Sequence, residues 1–192
     1  TLTWLWNISL NETTTTQGKI NVSDDTDPNN VYALSGGFFN VKGSFNLTAP
    51  STSGIVMAYD GGTSAYNITW TKYGSIPGAR LKYSPNNGTN WTTITNLTAT
   101  ASPYGWTVPD AIGYNLTVRV EDQNDTSVYD DSDNLFAIKG SVLVLQPNGT
   151  ESWRKGTTQA IQFKTIGAYT QNILIQYCNN STSPVWQGNY TA

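Results

Sequence analysis

Apolar and polar residues alternate with a period of two through much of the chain. Tyr66, Ile68 and Trp70 alternate with Asn67, Thr69 and Thr71; Leu81 and Tyr83 alternate with Arg80 and Lys82; Leu116, Val118 and Val120 alternate with Asn115, Thr117 and Arg119. Side chains on a strand point to opposite faces in turn, so each segment offers one apolar and one polar face. Turn clusters separate these runs: Asp60-Gly61-Gly62, Pro85-Asn86-Asn87-Gly88 and Pro109-Asp110. β-branched Thr, Val and Ile dominate between them, and no stretch carries a helical period. The pattern predicts an all-β chain with about seven short strands per unit, a β-sandwich of immunoglobulin-like type without its disulfide.

The pattern also repeats. Phe39-Asn40-Val41-Lys42-Gly43-Ser44 returns as Phe136-Ala137-Ile138-Lys139-Gly140-Ser141, and Pro50 returns as Pro147. Lys19-Ile20-Asn21-Val22 matches Thr117-Val118-Arg119-Val120, and Trp6 matches Trp106. Further along, Ile68-Thr69-Trp70 matches Ile161-Gln162-Phe163, Tyr83 matches Tyr177, and Trp91 matches Trp186. Self-similarity at such a period marks an array of structural units. One complete unit is expected at 44–140, with 1–43 the C-terminal half of a second and 141–192 the N-terminal half of another. Asn189-Tyr190-Thr191-Ala192 written before Thr1 regenerates the pattern of Asn96-Leu97-Thr98-Ala99-Thr100, with Trp4 and Trp6 falling near the place of Trp106. The halves are therefore expected to complete one another between copies. The join is either covalent, in a tandem array, or made by strand exchange.

Three stretches carry a resemblance. Pro147-Asn148-Gly149-Thr150-Glu151-Ser152-Trp153 with Gly156 and Ile161-Gln162-Phe163 resembles the start of an Ig-like repeat of archaeal and bacterial surface proteins. Tyr83-Ser84-Pro85-Asn86-Asn87-Gly88-Thr89-Asn90-Trp91 followed by Tyr104-Gly105-Trp106-Thr107-Val108-Pro109 resembles its middle. Val118-Arg119-Val120-Glu121-Asp122 and Ser132-Asp133-Asn134-Leu135-Phe136 resemble its end. The repeat is similar to the N-terminal module of fungal Ser/Thr-rich cell-wall proteins. The resemblance implies the sandwich fold and a spacer, adhesive or appended module, but no one activity.

Composition narrows the function. The 192 residues include no histidine, one cysteine and only 12% charged residues. Catalytic Ser-His-Asp sites and His-ligated zinc are thereby excluded, as are Cys-ligated zinc and an intrachain disulfide. Ten Lys and Arg against 13 Asp and Glu leave no basic face for nucleic acid. No apolar run reaches the roughly 18–20 residues of a membrane span, so any targeting or anchoring segment is expected outside this stretch. No nucleophile–base pair can be placed, and the chain is not expected to be an enzyme.

The strongest chemical signal is Asn-x-Ser/Thr. It occurs at Asn7, Asn11, Asn21, Asn46, Asn67, Asn87, Asn90, Asn96, Asn115, Asn124, Asn148, Asn179, Asn180 and Asn189, which is 14 of 20 asparagines. About five would follow from the Ser and Thr content alone, so the excess points to N-glycosylation in a secretory compartment. Trp91, Trp106 and Trp186 are alternatives for a sugar-stacking platform or for core packing between sheets, and Trp4 is the candidate surface contact. Asp122, Asp125, Asp130 and Asp131 are weak candidates for calcium, which needs six to eight oxygens, and solvated turns are the favoured reading. Covalent N-glycans are expected, and no cofactor. Cys178 stands where the intact unit has Ser84 and is read as a small apolar side chain beside a turn, with a bridge to another chain as the lesser alternative.

These features lead to an expected function: a structural subunit, or one period, of an extracellular filament or cell-surface stalk, whose partners are identical copies head to tail. The alternative is an adhesin or carbohydrate-binding module of a larger secreted protein.

Overall fold

A computed structural model describes residues 1–169 and 172–191, with the backbone but not the side chains of Asn189 and Thr191. The sequon side chain at Asn189 and the junction residue Ala192 thus lie outside what is described. Among the described residues the fold is all-β, with seventeen strands and no helix. The first four are short: β1 (Thr15–Gly18), β2 (Asn21–Ser23), β3 (Tyr32–Leu34) and β4 (Phe39–Val41). The middle of the chain holds β5 (Ser44–Ala49), β6 (Val56–Ala58), β7 (Ala65–Tyr73), β8 (Gly78–Ser84), β9 (Thr92–Thr98), β10 (Tyr104–Thr107), β11 (Gly113–Asp122), β12 (Tyr129–Asp131) and β13 (Phe136–Lys139). β14 (Ser141–Gln146), β15 (Gln162–Ile166), β16 (Leu174–Tyr177) and β17 (Gln187–Thr191) follow.

The middle strands form two sheets, one ordered β10-β7-β5 and the other β6-β13-β11-β8-β9 with β12 also on β11. All pairs are antiparallel except β13 with β6. Alternation along each strand decides which side chains enter the core. Phe45 and Leu47, Ile68 and Trp70, Ala79 and Leu81, and Leu116, Val118 and Val120 are buried together between the two sheets. Each fully buried aliphatic side chain stabilises by roughly 1.5–3 kcal/mol relative to exposure. Polar atoms drawn inside are satisfied: Trp70 Nε1 donates to the Ala99 carbonyl at 2.9 Å, and Gln123 Nε2 donates to the carbonyls of Ala79 and Leu97 at 2.9 Å each. The β8–β9 hairpin turns through Asn87 and Gly88, at φ of 52° and 78°. Ser84 Oγ accepts from the Gly88 N–H there at 2.9 Å.

The remaining strands pair only locally. β1 pairs β4, β2 pairs β3, β14 pairs β15 and β16 pairs β17, each as a separate two-stranded sheet. Of the buried apolar residues, all but Val41 lie between Phe45 and Ile138.

Candidate assembly interface

The small ladders at the two ends copy ladders of the middle strands, rung for rung. In the middle, β5 meets β7 with Phe45 opposite Lys72 and Leu47 opposite Trp70; at the end, β14 meets β15 with Val142 opposite Thr165 and Val144 opposite Phe163. The next rung slips by one residue in both. β8 meets β9 with Leu81 opposite Thr95 and Tyr83 opposite Thr92, while β16 meets β17 with Ile175 opposite Tyr190 and Tyr177 opposite Gln187. The first residues do the same. β1–β4 aligns Thr15 with Val41 and Gly18 with Phe39, as β11–β13 aligns Gly113 with Ile138 and Leu116 with Phe136. β2–β3 aligns Val22 with Ala33, as β11–β12 aligns Val120 with Asp130. A register shift of one residue would exchange the two faces of a strand, so these agreements fix which residues are equivalent.

Ring contacts agree as well. Trp6 meets Phe39 edge to face at 6.0 Å and 86°, matching Trp106 against Phe136 at 6.2 Å and 85°. Trp106 also meets Tyr83 at 5.5 Å. The equivalent of that second contact, Trp6 with Tyr177, is not formed within the chain, and both rings are exposed.

Three ladders of the middle strands have no counterpart among the described residues: β10 with β7, β11 with β8, and β13 with β6. Each would join a strand of 1–43 to one of 141–192. Without them the apolar faces stay open. Leu2, Trp4, Leu5, Ile8 and Val22 are exposed at one end, and Val142, Val144, Trp153, Ile161 and Tyr177 at the other. The latter face forms an apolar groove of about 290 Å³, with Phe163 and Ile175 in its lining.

The two ends leave the middle at opposite poles. Lys42 Nζ reaches Asp125 at 2.7 Å and Ser127 Oγ at 2.9 Å, at the pole where β11 ends. The Ala168 N–H donates to Asp110 Oδ1 at 2.8 Å, at the pole where β11 begins. Ten residues of extended chain separate these poles, about 30 Å. The junctions themselves are alike. A Cβ on Gly43 would stand 2.6 Å from the Tyr73 carbonyl, and one on Gly140 would collide with the Ile166 carbonyl. Beside them Gly74 (φ 77°) lies against Thr14, and Gly167 (φ 106°) lies against Ile112, its equivalent. Only glycine takes such a backbone without strain.

Hydrogen bonds set the carboxylates. Lys42, then the Ser127 hydroxyl, lowers the Asp125 pKa to about 2. The Ser64 and Thr63 hydroxyls hold Asp60 well below the usual carboxylate range, Thr26 lowers Asp24, and the Asn148 N–H leads those lowering Glu151.

The four acidic calcium candidates point to separate protein partners. Asp122 Oδ1 accepts from the Asn124 N–H at 2.9 Å, Asp125 meets Lys42, Asp130 Oδ2 accepts from the Leu47 N–H at 2.6 Å, and Asp131 is paired with Arg119. No group of three or more metal-ligating side chains gathers among the described residues. Trp91, Trp106 and Trp186 are not brought together: Trp106 is buried, the Arg119 guanidinium lies 4.4 Å from the Trp91 ring centroid, and Trp186 is exposed. Trp4 is 80% exposed, and Cys178 is a free, half-buried thiol. The thirteen sequon asparagines whose side chains are described are all exposed, as is every other described asparagine. Asn67 and Asn115 alternate with the buried Ile68 and Leu116, so they face outward from packed sheets. Among the described residues no helix is long and apolar enough to cross a membrane.

The outer-face ion pairs and the glycine junctions escaped the sequence reading. The one available signal was the recurrence of Lys-Gly-Ser at Lys42 and Lys139. Comparison with protein-family models, with curated proteins and with solved structures finds no match for this chain.

Proposed function

We propose that the chain is a structural subunit of a heavily N-glycosylated extracellular filament or surface stalk. Residues 44–140 form a complete immunoglobulin-like sandwich, and 141–192 of one copy with 1–43 of the next form a second, composite one. The observation that carries this reading is the set of three absent ladders, each of which would join one end of the chain to the other. Their strands sit at opposite poles about 30 Å apart, so closure within one copy is obstructed and closure between copies is favoured. A contact between unlike ends does not close on itself, and it propagates as a line. Matching glycine junctions on either side of the middle sandwich give each step the same bend, as a regular filament requires. Fourteen sequons supply the argument for a glycosylated, extracellular setting.

Electron microscopy and sedimentation of the purified chain test it. The full chain is expected to form filaments with two sandwiches per subunit, and a chain lacking residues 1–43 is expected to stay monomeric. Glycopeptide analysis of native material is expected to find many occupied sequons. A full chain that remains a monomer at high concentration overturns the assembly.

A further inference from the structure

Resting on that reading, we infer the register of the junction: strand β16 of one copy pairs antiparallel with Lys19–Val22 of the next, Lys19 facing Cys178, Ile20 facing Tyr177 and Val22 facing Ile175. In the middle sandwich β11 meets β8 with Thr117 opposite Ser84, Val118 opposite Tyr83 and Val120 opposite Leu81. The β16–β17 ladder equates Tyr83 with Tyr177 and Leu81 with Ile175, and hence Ser84 with Cys178. The β1–β4 and β2–β3 ladders equate Leu116 with Gly18 and Val120 with Val22, and hence Thr117 with Lys19. Transferring the rungs gives the junction.

The same transfer places the rest of the interface. Trp4–Asn7 lies antiparallel beside residues 158–161, which lead into β15, because Tyr104 and Trp106 lie opposite Ile68 and Tyr66 in the β10–β7 ladder. β4 runs parallel beside the stretch that links β14 to β15, because β13 pairs with β6 between β5 and β7. Trp6, already edge-on to Phe39, then meets the other copy's Tyr177 as Trp106 meets Tyr83. The junction covers side chains that are otherwise exposed: Trp6, Ile20, Val22, Trp153, Ile161 and Tyr177. One charged contact is added. Lys42 binds Asp125 at the first junction, and Asp27 occupies the equivalent turn, its carbonyl accepting from the Val31 N–H as that of Asp125 accepts from Val128. Asp27 of the next copy is therefore the partner for Lys139.

Cys178, the one thiol in the chain, makes the register readable with a single substitution. Side chains directly opposite on antiparallel strands have Cβ atoms about 4.5–5.5 Å apart, within slight adjustment of a disulfide. Lys19 is exposed, with its ammonium 5.0 Å from the Phe38 ring centroid, so Lys19→Cys is expected to leave the fold intact. The full-length Lys19→Cys chain, assembled and mildly oxidised, is expected to run as a reducible ladder of multimers on a denaturing gel. Wild type and Ser23→Cys, four positions along the same face, are expected to run as single chains. Filaments of Lys19→Cys that stay unlinked, or linkage by Ser23→Cys instead, overturn the register while leaving the filament standing. Absence of filaments even in wild type overturns the filament reading and the register with it.

Discussion

At the scale of single residues, the outer face of the β11–β8–β9 sheet gathers three of the four ion pairs found among the described residues. Glu121 is almost wholly enclosed between Arg80 at 2.9 Å and Lys82 at 2.7 Å. Arg119 forks onto Asp131 at 2.6 and 2.8 Å, with the Trp91 and Tyr129 rings at 4.4 and 3.8 Å. Removing the Glu121 carboxylate leaves the part-buried Arg80 and Lys82 without their counter-charge, Arg80 keeping its bond to Asn96 Oδ1 at 3.0 Å, and Glu121→Ala is expected to destabilise the middle sandwich by about 1–3 kcal/mol in chemical denaturation. None of this is repeated at the ends, where the equivalent positions are Asn21, Ser23, Leu34, Leu174 and Gln176. A sequon stands at Asn21 where Arg119 stands in the middle, and a sugar there would lie beside the exposed Tyr32 and Leu34. The sequence could not distinguish these cases. A polar residue at every second position reads the same whether it is solvated, ion-paired or glycosylated, so alternation showed the faces but not the chemistry on them. The Lys42–Asp125 tie adds a pH dependence. Because Asp125 is depressed to about 2, its contribution is full above the ordinary carboxylate value near 3.8 and is lost as pH falls through about 2. Hydrogen exchange around Lys42 and Gly43 is expected to stay slow at pH 4 and to rise near pH 2, and Asp125→Asn should show the fast exchange at every pH.

At the scale of elements, strands were legible and sheet membership was not. Ile68 and Trp70, or Val118 and Val120, alternate so regularly that their strands and inward faces followed from the sequence. The pairing of β11 with both β8 and β13 did not, because edge and central strands differ by what lies beside them. The repeat left a trace at this scale: the end ladders carry the same rungs as the middle ladders at the offsets between the recurring motifs. The drift in offset comes from loops, such as the extra residue in Asp27–Val31 relative to Asp125–Val128. The glycine junctions were visible only as recurring letters. Their reason is steric, since a side chain at Gly140 meets backbone that cannot swing aside. Gly140→Ala is expected to weaken the packing of 141–169 on the middle sandwich by about 1–3 kcal/mol while barely changing the melting of 44–140. Hydrogen exchange at Ile166 and Ala168, against exchange at Leu81 and Val118, separates the two effects. Equal loss at both places would mean that the junction and the sandwich are one cooperative unit.

At the scale of the whole molecule, the chain carries one closed core and an exposed apolar face at each end, and the proposed assembly makes those faces complementary. If that complementarity is what drives assembly, it does not depend on the middle sandwich or on which copy supplies which half. A single polypeptide written as residues 141–192 followed directly by residues 1–43 then contains every strand of one sandwich in the order in which the middle unit uses them. That chain of 95 residues is expected to fold as a monomer with a cooperative β-sheet transition and to bury Trp6, as Trp106 is buried in the middle, which tryptophan fluorescence reports. It has no counterpart of the outer-face Arg119 and Glu121 ion pairs, and its core sets Val142, Val144, Ile161, Phe163, Ile175 and Tyr177 against Ile20, Val22 and Phe39. Exposed large apolar side chains on open sheet edges are an aggregation hazard. Either half expressed alone should therefore aggregate, whereas the joined halves should be soluble. Its noise-free comparison is the same 95 residues joined in the opposite order, 1–43 before 141–192, which places the strands wrongly for short connections. Cooperative folding of the first order alone means that the two ends are halves of one domain. Equal failure of both orders means that the end segments do not complete each other, and the composite sandwich falls.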